Sequence, residues 1–240
     1  MTWGKRIIAG LALSVASLAV VTVDAQAGVV VSSSGPSARQ YPVGKQIDDN
    51  ERITLREGDT LTVLDNGGTR VFRGAGTYML ARGSATSRNR AFAALTTQRS
   101  ATRARTGAVR SAGSSTVSNP NLWYVDVSKS GKVCLPSADS VRLWRSDTQA
   151  ASTYSIDPAG ARPATSITFP AGEMLAAWDP DNPPSAGTVY RIGHDSQNNP
   201  VEVTFEFIDE APASPEALAA ALIAKGCTMQ LETMTTAMMN

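Results

Sequence analysis

Apolar and polar residues alternate through GDTLTVLDNGGTRVFRGAGTYML, Gly58 to Leu80, on both sides of an Asn-Gly-Gly turn. A period of two marks strands with one packed and one solvated side. The pattern predicts strands at Gly28 to Ser33, Arg52 to Glu57, Thr60 to Asp65, Thr69 to Arg73 and Thr77 to Ala81. Gly58-Asp59, Asn66-Gly67-Gly68 and Gly74-Ala75-Gly76 punctuate them, and glycine supplies the positive φ that hairpin turns need. Residues 28–82 therefore read as a small antiparallel β unit with one face packed and one wet.

From Pro120 the same period returns. Strands are expected at Leu122 to Val127, Lys132 to Leu135, Val141 to Arg145, Thr153 to Ile156, Ser166 to Phe169, Leu175 to Trp178, Thr188 to Ile192 and Val201 to Ile208. Their spacing suggests a sandwich. In VEVTFEFI, Val201, Val203, Phe205 and Phe207 share one face, opposite Glu202, Thr204 and Glu206. One helix breaks the series: Ser214 as N-cap, Pro215 at the first helical position and Gly226 as C-cap bound a helix over 215–225. The following CTMQLETMTT reads as a last strand. The expected fold class is mainly β: a small N-terminal module, a basic connector, and a C-terminal sandwich-like domain over 120–240 with one helix.

The connector, residues 83–119, is rich in Ser, Thr, Ala and Arg. Arg88 to Thr102 is compatible with a helix carrying a narrow apolar stripe of Phe92, Ala93 and Leu95, and RARTGAVRSAGSSTVSNP reads as a flexible linker.

Pro42 to Leu80, PVGKQIDDNERITLREGDTLTVLDNGGTRVFRGAGTYML, resembles the FecR-type periplasmic β domain through a Gly before the first turn, a Gly-Asp opening a strand and the glycine punctuation after it. The resemblance covers roughly Val29 to Leu80. It implies an extracytoplasmic β module engaged in protein contacts. It does not carry over sigma-factor regulation, because only a short basic start precedes the apolar segment here.

That apolar segment points to export. Lys5 and Arg6, an apolar run from Ile7 to Val23, and Ala25-Gln26-Ala27 have the order of a secretory signal peptide over 1–27, with cleavage before Gly28. The alternative, a membrane anchor, needs about 20 predominantly apolar residues. No later stretch is apolar enough to span a membrane, so the mature chain is expected to be periplasmic or secreted. In such a compartment Cys134 and Cys227, the two cysteines, are expected to pair, stapling the 215–225 helix to the 132–135 strand. Two buried free thiols are the alternative.

Hydrophobic residues at 42% against 18% charged indicate a folded chain. The net charge of +1 hides an asymmetry. Between Asp65 and Asp126 there is no acid, yet Arg70, Arg73, Arg82, Arg88, Arg90, Arg99, Arg103, Arg105 and Arg110 fall there. From Asp126 onward 14 acids face 7 bases, a difference of −7. Such a basic run attracts an anionic partner or the acidic end of its own chain. Nucleic acid is not expected, since no aromatic residues interleave with the arginines. Arg88, Arg90, Arg99, Arg103 and Arg105 are the candidate contacts to a protein or anionic cell-envelope partner.

Catalytic chemistry finds little to stand on. His194, the single histidine, lies in the turn-like IGHDSQNNP, and no Gly-x-Ser-x-Gly elbow accompanies it. One histidine and two paired cysteines cannot fill a zinc shell. Asp179-Pro180-Asp181-Asn182 reads as a plain turn rather than a calcium loop. Met229, Met234, Met238 and Met239 read as core filler and a frayed end rather than copper ligands. No cofactor is expected. Trp123, Trp144 and Trp178 are expected in the core, with sugar stacking as the alternative. The reading is a non-enzymatic exported binding or scaffold protein of the bacterial cell envelope; the alternative is an envelope hydrolase or carbohydrate-binding protein with its site in the C-terminal domain.

Overall fold

The computed structural model describes residues 28–80, 86–98, 119–158, 165–194, 199–208 and 212–239. The signal-peptide reading of 1–27 lies outside them. In the N-terminal part, β1 (Gly28–Ser34), β2 (Gln46–Ile47), β4 (Thr60–Asp65) and β5 (Gly68–Arg73) form an antiparallel sheet in the order β2-β1-β4-β5, beside a hairpin of β3 (Arg52–Leu55) and β6 (Gly76–Met79). The turn between β4 and β5 places positive φ on Gly68 alone, at 110°, a conformation glycine adopts without steric cost. Asp59 ties the entry to β4. Its carboxylate accepts from the Ser37 N–H at 2.9 Å and from the Arg56 N–H. Burial pushes this acid up, but those bonds and the Arg56 charge outweigh it and hold the carboxyl below its ordinary range.

The expected wet face is kept on β3, where Arg52 and Thr54 are exposed opposite buried Ile53 and Leu55, but is lost on β1 and β4. Val30, Tyr41, Ile47, Ile53, Leu55, Leu61, Val63 and Leu80 fill a small core between sheet and hairpin. On the opposite face Val29, Val31 and Leu64 enter the large core of the C-terminal part. β4 is therefore buried on both sides from Leu61 to Asp65. Contiguous apolar pairs such as Val63-Leu64 are what a strand covered on both faces requires.

The C-terminal part has two sheets. β10 (Ser152–Pro158), β11 (Thr165–Phe169), β13 (Val189–His194), β14 (Val201–Phe207) and β8 (Gly131–Leu135) run in the order β11-β10-β13-β14-β8; β7 (Tyr124–Asp126), β9 (Arg142–Trp144) and β12 (Leu175–Ala177) run β12-β9-β7. β8 pairs parallel to β14, and β7 parallel to β9. Val201, Val203 and Phe205 are buried and Glu202 is exposed, as the alternation predicts. Trp123, Trp144 and Trp178 are 2%, 2% and 7% exposed. Trp178 meets the rings of Tyr190 and Phe205 edge-on, each at 5.4 Å between centroids. Arg145 clasps the two sheets from inside: Nε donates to the Glu173 carbonyl, and the terminal nitrogens donate to Ser152 Oγ and the Pro170 carbonyl.

Two helices close the chain, not one. α2 (Pro215–Lys225) has the expected ends: Ser214 accepts from the Ala217 N–H, and Gly226 caps it at φ 77°. The expected last strand is instead α3 (Thr228–Ala237). The correction is readable in its burial: the buried apolar positions are Cys227, Leu231, Met234 and Met238, spaced four, three and four, which is a helical period. Gln230 carries polar bonding into this core. Its carbonyl accepts from the Cys134 N–H, and its amide nitrogen donates to the carbonyls of Leu122 and Cys134, all at 2.7 Å.

Cys134 and Cys227 are disulfide-bonded with Cα atoms 5.9 Å apart, so β8 is joined to the bend between α2 and α3. Closing 93 residues of sequence contributes roughly 4–5 kcal/mol in the chain-entropy model. Cys134→Ser and Cys227→Ser are expected to lower the melting temperature by similar amounts, with the double variant no worse than either single one. Thermal melts of the three variants check this, and additive losses would show two independent contributions.

Candidate functional site

The arginine run is rooted in the fold by α1 (Thr86–Thr96). Phe92 and Leu95, three residues apart and so on one helix face, are each 8% exposed and belong to the large core, while Arg90 is exposed. The helix is thus held by a narrow stripe, with Arg90 outward. Sequence placed a helix over Arg88 to Thr102; the observed one lies two residues earlier at its start and ends six earlier.

Where α1 ends, the returning chain meets it. Leu122 N–H donates to the Leu95 carbonyl at 2.9 Å, Trp123 Nε1 to the Thr96 carbonyl at 2.7 Å, and Asn121 Nδ2 to the Thr97 carbonyl at 2.8 Å. Asn121 is itself fixed, since its Oδ1 accepts from the Trp123 N–H, and Asn119 Nδ2 donates to the Tyr124 carbonyl. The chain therefore comes back, 24 residues on, to the place it left. Residues 99–118 begin and end at one anchored root. Nothing in the sequence signalled the return, because the three bonds that join the end of α1 to residues 121–123 each span more than 20 residues and end on backbone carbonyls that every residue type offers.

The other arginines sort by position. Arg70 pairs with Asp65 at 3.0 Å and is spent inside the β4–β5 hairpin. Arg73 and Arg90 are exposed. Arg99, Arg103 and Arg105 lie outside the described residues, as does the side chain of Arg88. On the acidic side, Asp126 pairs with Lys129 at 3.8 Å, Glu202 with Arg191 at 3.3 Å, and Glu206 with Lys132 and Lys225 at 3.5 and 3.9 Å. Exposed pairs of this kind are worth about 0–1 kcal/mol each. Their effect is local neutralisation of several C-terminal acids by bases of the same unit.

The remaining candidates fall into structural positions. Burial takes all three C-terminal tryptophans off the surface, so none offers a face for sugar stacking. His194 ends β13 with its ring 4.9 Å from that of Tyr154. Both carboxylate oxygens of Asp179 are used within its own turn, accepting from Asn182 Nδ2 and the Asp181 N–H at 3.0 Å each, and these bonds hold the acid below its ordinary range. Met234 and Met238 are core residues at 0% and 1% exposure, whereas Met239 is 50% exposed. Among the described residues no group of three or more His, Cys, Asp or Glu is placed to hold a metal ion. A hollow of about 40 Å³ beside Tyr124, Asp126, Lys129, Gln230 and Thr233 has room for one or two waters. No helix among the described residues is long and apolar enough to cross a membrane.

No family model, curated protein or solved structure matches the chain.

Because the root is closed without them, residues 99–118 are expected to be dispensable for folding. Replacing them with about six Gly and Ser residues shortens a loop whose closure scales as (3/2)RT ln n, a gain of about 1 kcal/mol. Denaturant titration is expected to show equal or slightly higher stability. A loss of several kcal/mol would mean that the segment packs on the fold.

Proposed function

We propose that this chain is a non-enzymatic exported binding or scaffold protein of the bacterial cell envelope, and that its arginine-bearing segment docks on an anionic protein or envelope component. The single observation that carries the reading is the run from Asn66 to Val125, with nine arginines and no acid. The root geometry supports it. A segment that leaves and re-enters at one clamped point presents its charge from a fixed base without linking two separate bodies. Local pairing of Asp126, Glu202 and Glu206 also leaves these acids less to offer the arginines than their number suggests. On this reading residues 1–27 are a signal peptide, and β1 to β6 form a FecR-like module resting on glycine and strand spacing. Burial of the tryptophans disfavours the carbohydrate-binding alternative.

Attraction between exposed charges is screened over about 8 Å at physiological ionic strength. Binding of the chain to anionic envelope material is therefore expected to fall steeply between low and physiological salt. Changing Arg88, Arg90, Arg99, Arg103 and Arg105 to glutamine is expected to remove both the binding and its salt dependence, as read by co-sedimentation. Full, salt-insensitive binding by the glutamine variant would reject the docking segment.

A further inference from the structure

The β4–β5 turn presses on the start of α2 and the end of α3. Asn66 Nδ2 donates to Glu216 Oε1 at 2.7 Å, Thr69 Oγ1 to the Thr235 carbonyl at 2.8 Å, and the Thr69 N–H to the Met238 carbonyl at 2.9 Å. Glu216 is unusual in this company. It is 6% exposed, and its second oxygen, Oε2, is buried with no hydrogen-bond partner among the described residues. An ionised carboxylate this buried is among the costly things a core can hold, and such a group ordinarily neutralises instead.

We propose that this junction is a proton-held latch, in which Glu216 is a neutral acid while Asn66 and Thr69 are docked and its ionisation loosens the docking. The groups packed around Glu216 set its charge, and they do not all act in one direction. The elements packed against α2 are β1, β4, β8 and α3. β4 brings the Asp65 carboxylate, tied to Arg70 of β5. β1 brings Gly28 opposite Asp65, then Val29 to Val31; an α-amino group at Gly28, after the cleavage proposed above, would add a cation to this face. β8 brings Lys132, engaged with Glu206, and α3 brings the neutral Gln230 and Thr235 on its buried side, with Glu232 exposed. Lys225, the cation of α2, is at the far end of that helix and also faces Glu206. Burial raises the Glu216 carboxyl above its ordinary range and the Asp65 charge adds to the rise, while the helix start, Ser214 and Asn66 pull the other way without reversing it.

The sign follows from proton counting. A docked state whose acid titrates above the free value holds more protons than the open state, so docking is full at low pH and weakens as pH rises through the docked midpoint. The Thr69 amide reports the junction directly, since its bond to Met238 breaks on opening. Hydrogen exchange corrected for intrinsic rates is expected to show Thr69 protection falling by up to about tenfold per pH unit, the limit for one proton, between the ordinary glutamate range and the Glu216 midpoint. Glu216→Gln is expected to flatten that dependence and to be better protected than the native chain at neutral pH. Carbon-13 titration of Glu216 in the native chain provides the second measurement, needing no variant. A midpoint at or below the ordinary glutamate value overturns the proposal, and so does a Thr69 profile that is flat or is unchanged in Glu216→Gln.

Discussion

Everything else in the structure hangs on β1 and β4 being covered on both faces. Val29, Val31 and Leu64 leave the N-terminal sheet on the side away from its own small core and join Leu218, Leu222, Leu231 and Met234 in the large one. Full burial of an apolar side chain of this size is worth about 1.5–3 kcal/mol, with extended-chain references making that an upper figure. The hydrogen bonds of Asn66 and Thr69 across the same junction contribute nearer 1 kcal/mol each. Apolar contact therefore decides that the two parts adhere, and the polar bonds decide in which register.

The helical pair that receives the sheet is itself held from the other side. The disulfide fixes the bend between α2 and α3 to β8, and Gln230 satisfies the backbone of Cys134 while reaching Leu122. Leu122 and its neighbours Asn121 and Trp123 in turn grip the end of α1. One continuous path of packing and bonding thus runs from the hairpin tip through α3 to the root of the arginine segment. The two ends of the arginine segment are thereby fixed to the same part of the fold.

How much of this was legible in the sequence depended on the range of the interaction concerned. The N-terminal strands other than the two-residue β2, which the sequence reading missed, were read within a residue or two, because alternation and glycine punctuation are local signals. The ends of α2 were legible for the same reason, through Ser214, Pro215 and Gly226. α3 was misread because the threonines of CTMQLETMTT favour strand while its Met, Gln, Leu and Glu favour helix, and the threonines were weighted more; the spacing of Cys227, Leu231, Met234 and Met238 held the helical period all along. The second buried face was hinted at by Val63-Leu64 and by the unbroken Val29 to Val31, runs that one-sided burial does not need. The clamp of Asn121 and Trp123 on α1 and the meeting of Asn66 with Glu216, 150 residues apart, had no local signature. The arginine run was plain in the sequence, yet its closed root was visible only in three dimensions.

The central claim is that the two β-rich parts share one core and so one cooperative transition. Differential scanning calorimetry of the chain tests this most directly. A single transition whose calorimetric and van't Hoff enthalpies agree is the predicted result. Two resolved transitions, or a calorimetric enthalpy well above the van't Hoff value, would contradict it and make the parts independent domains.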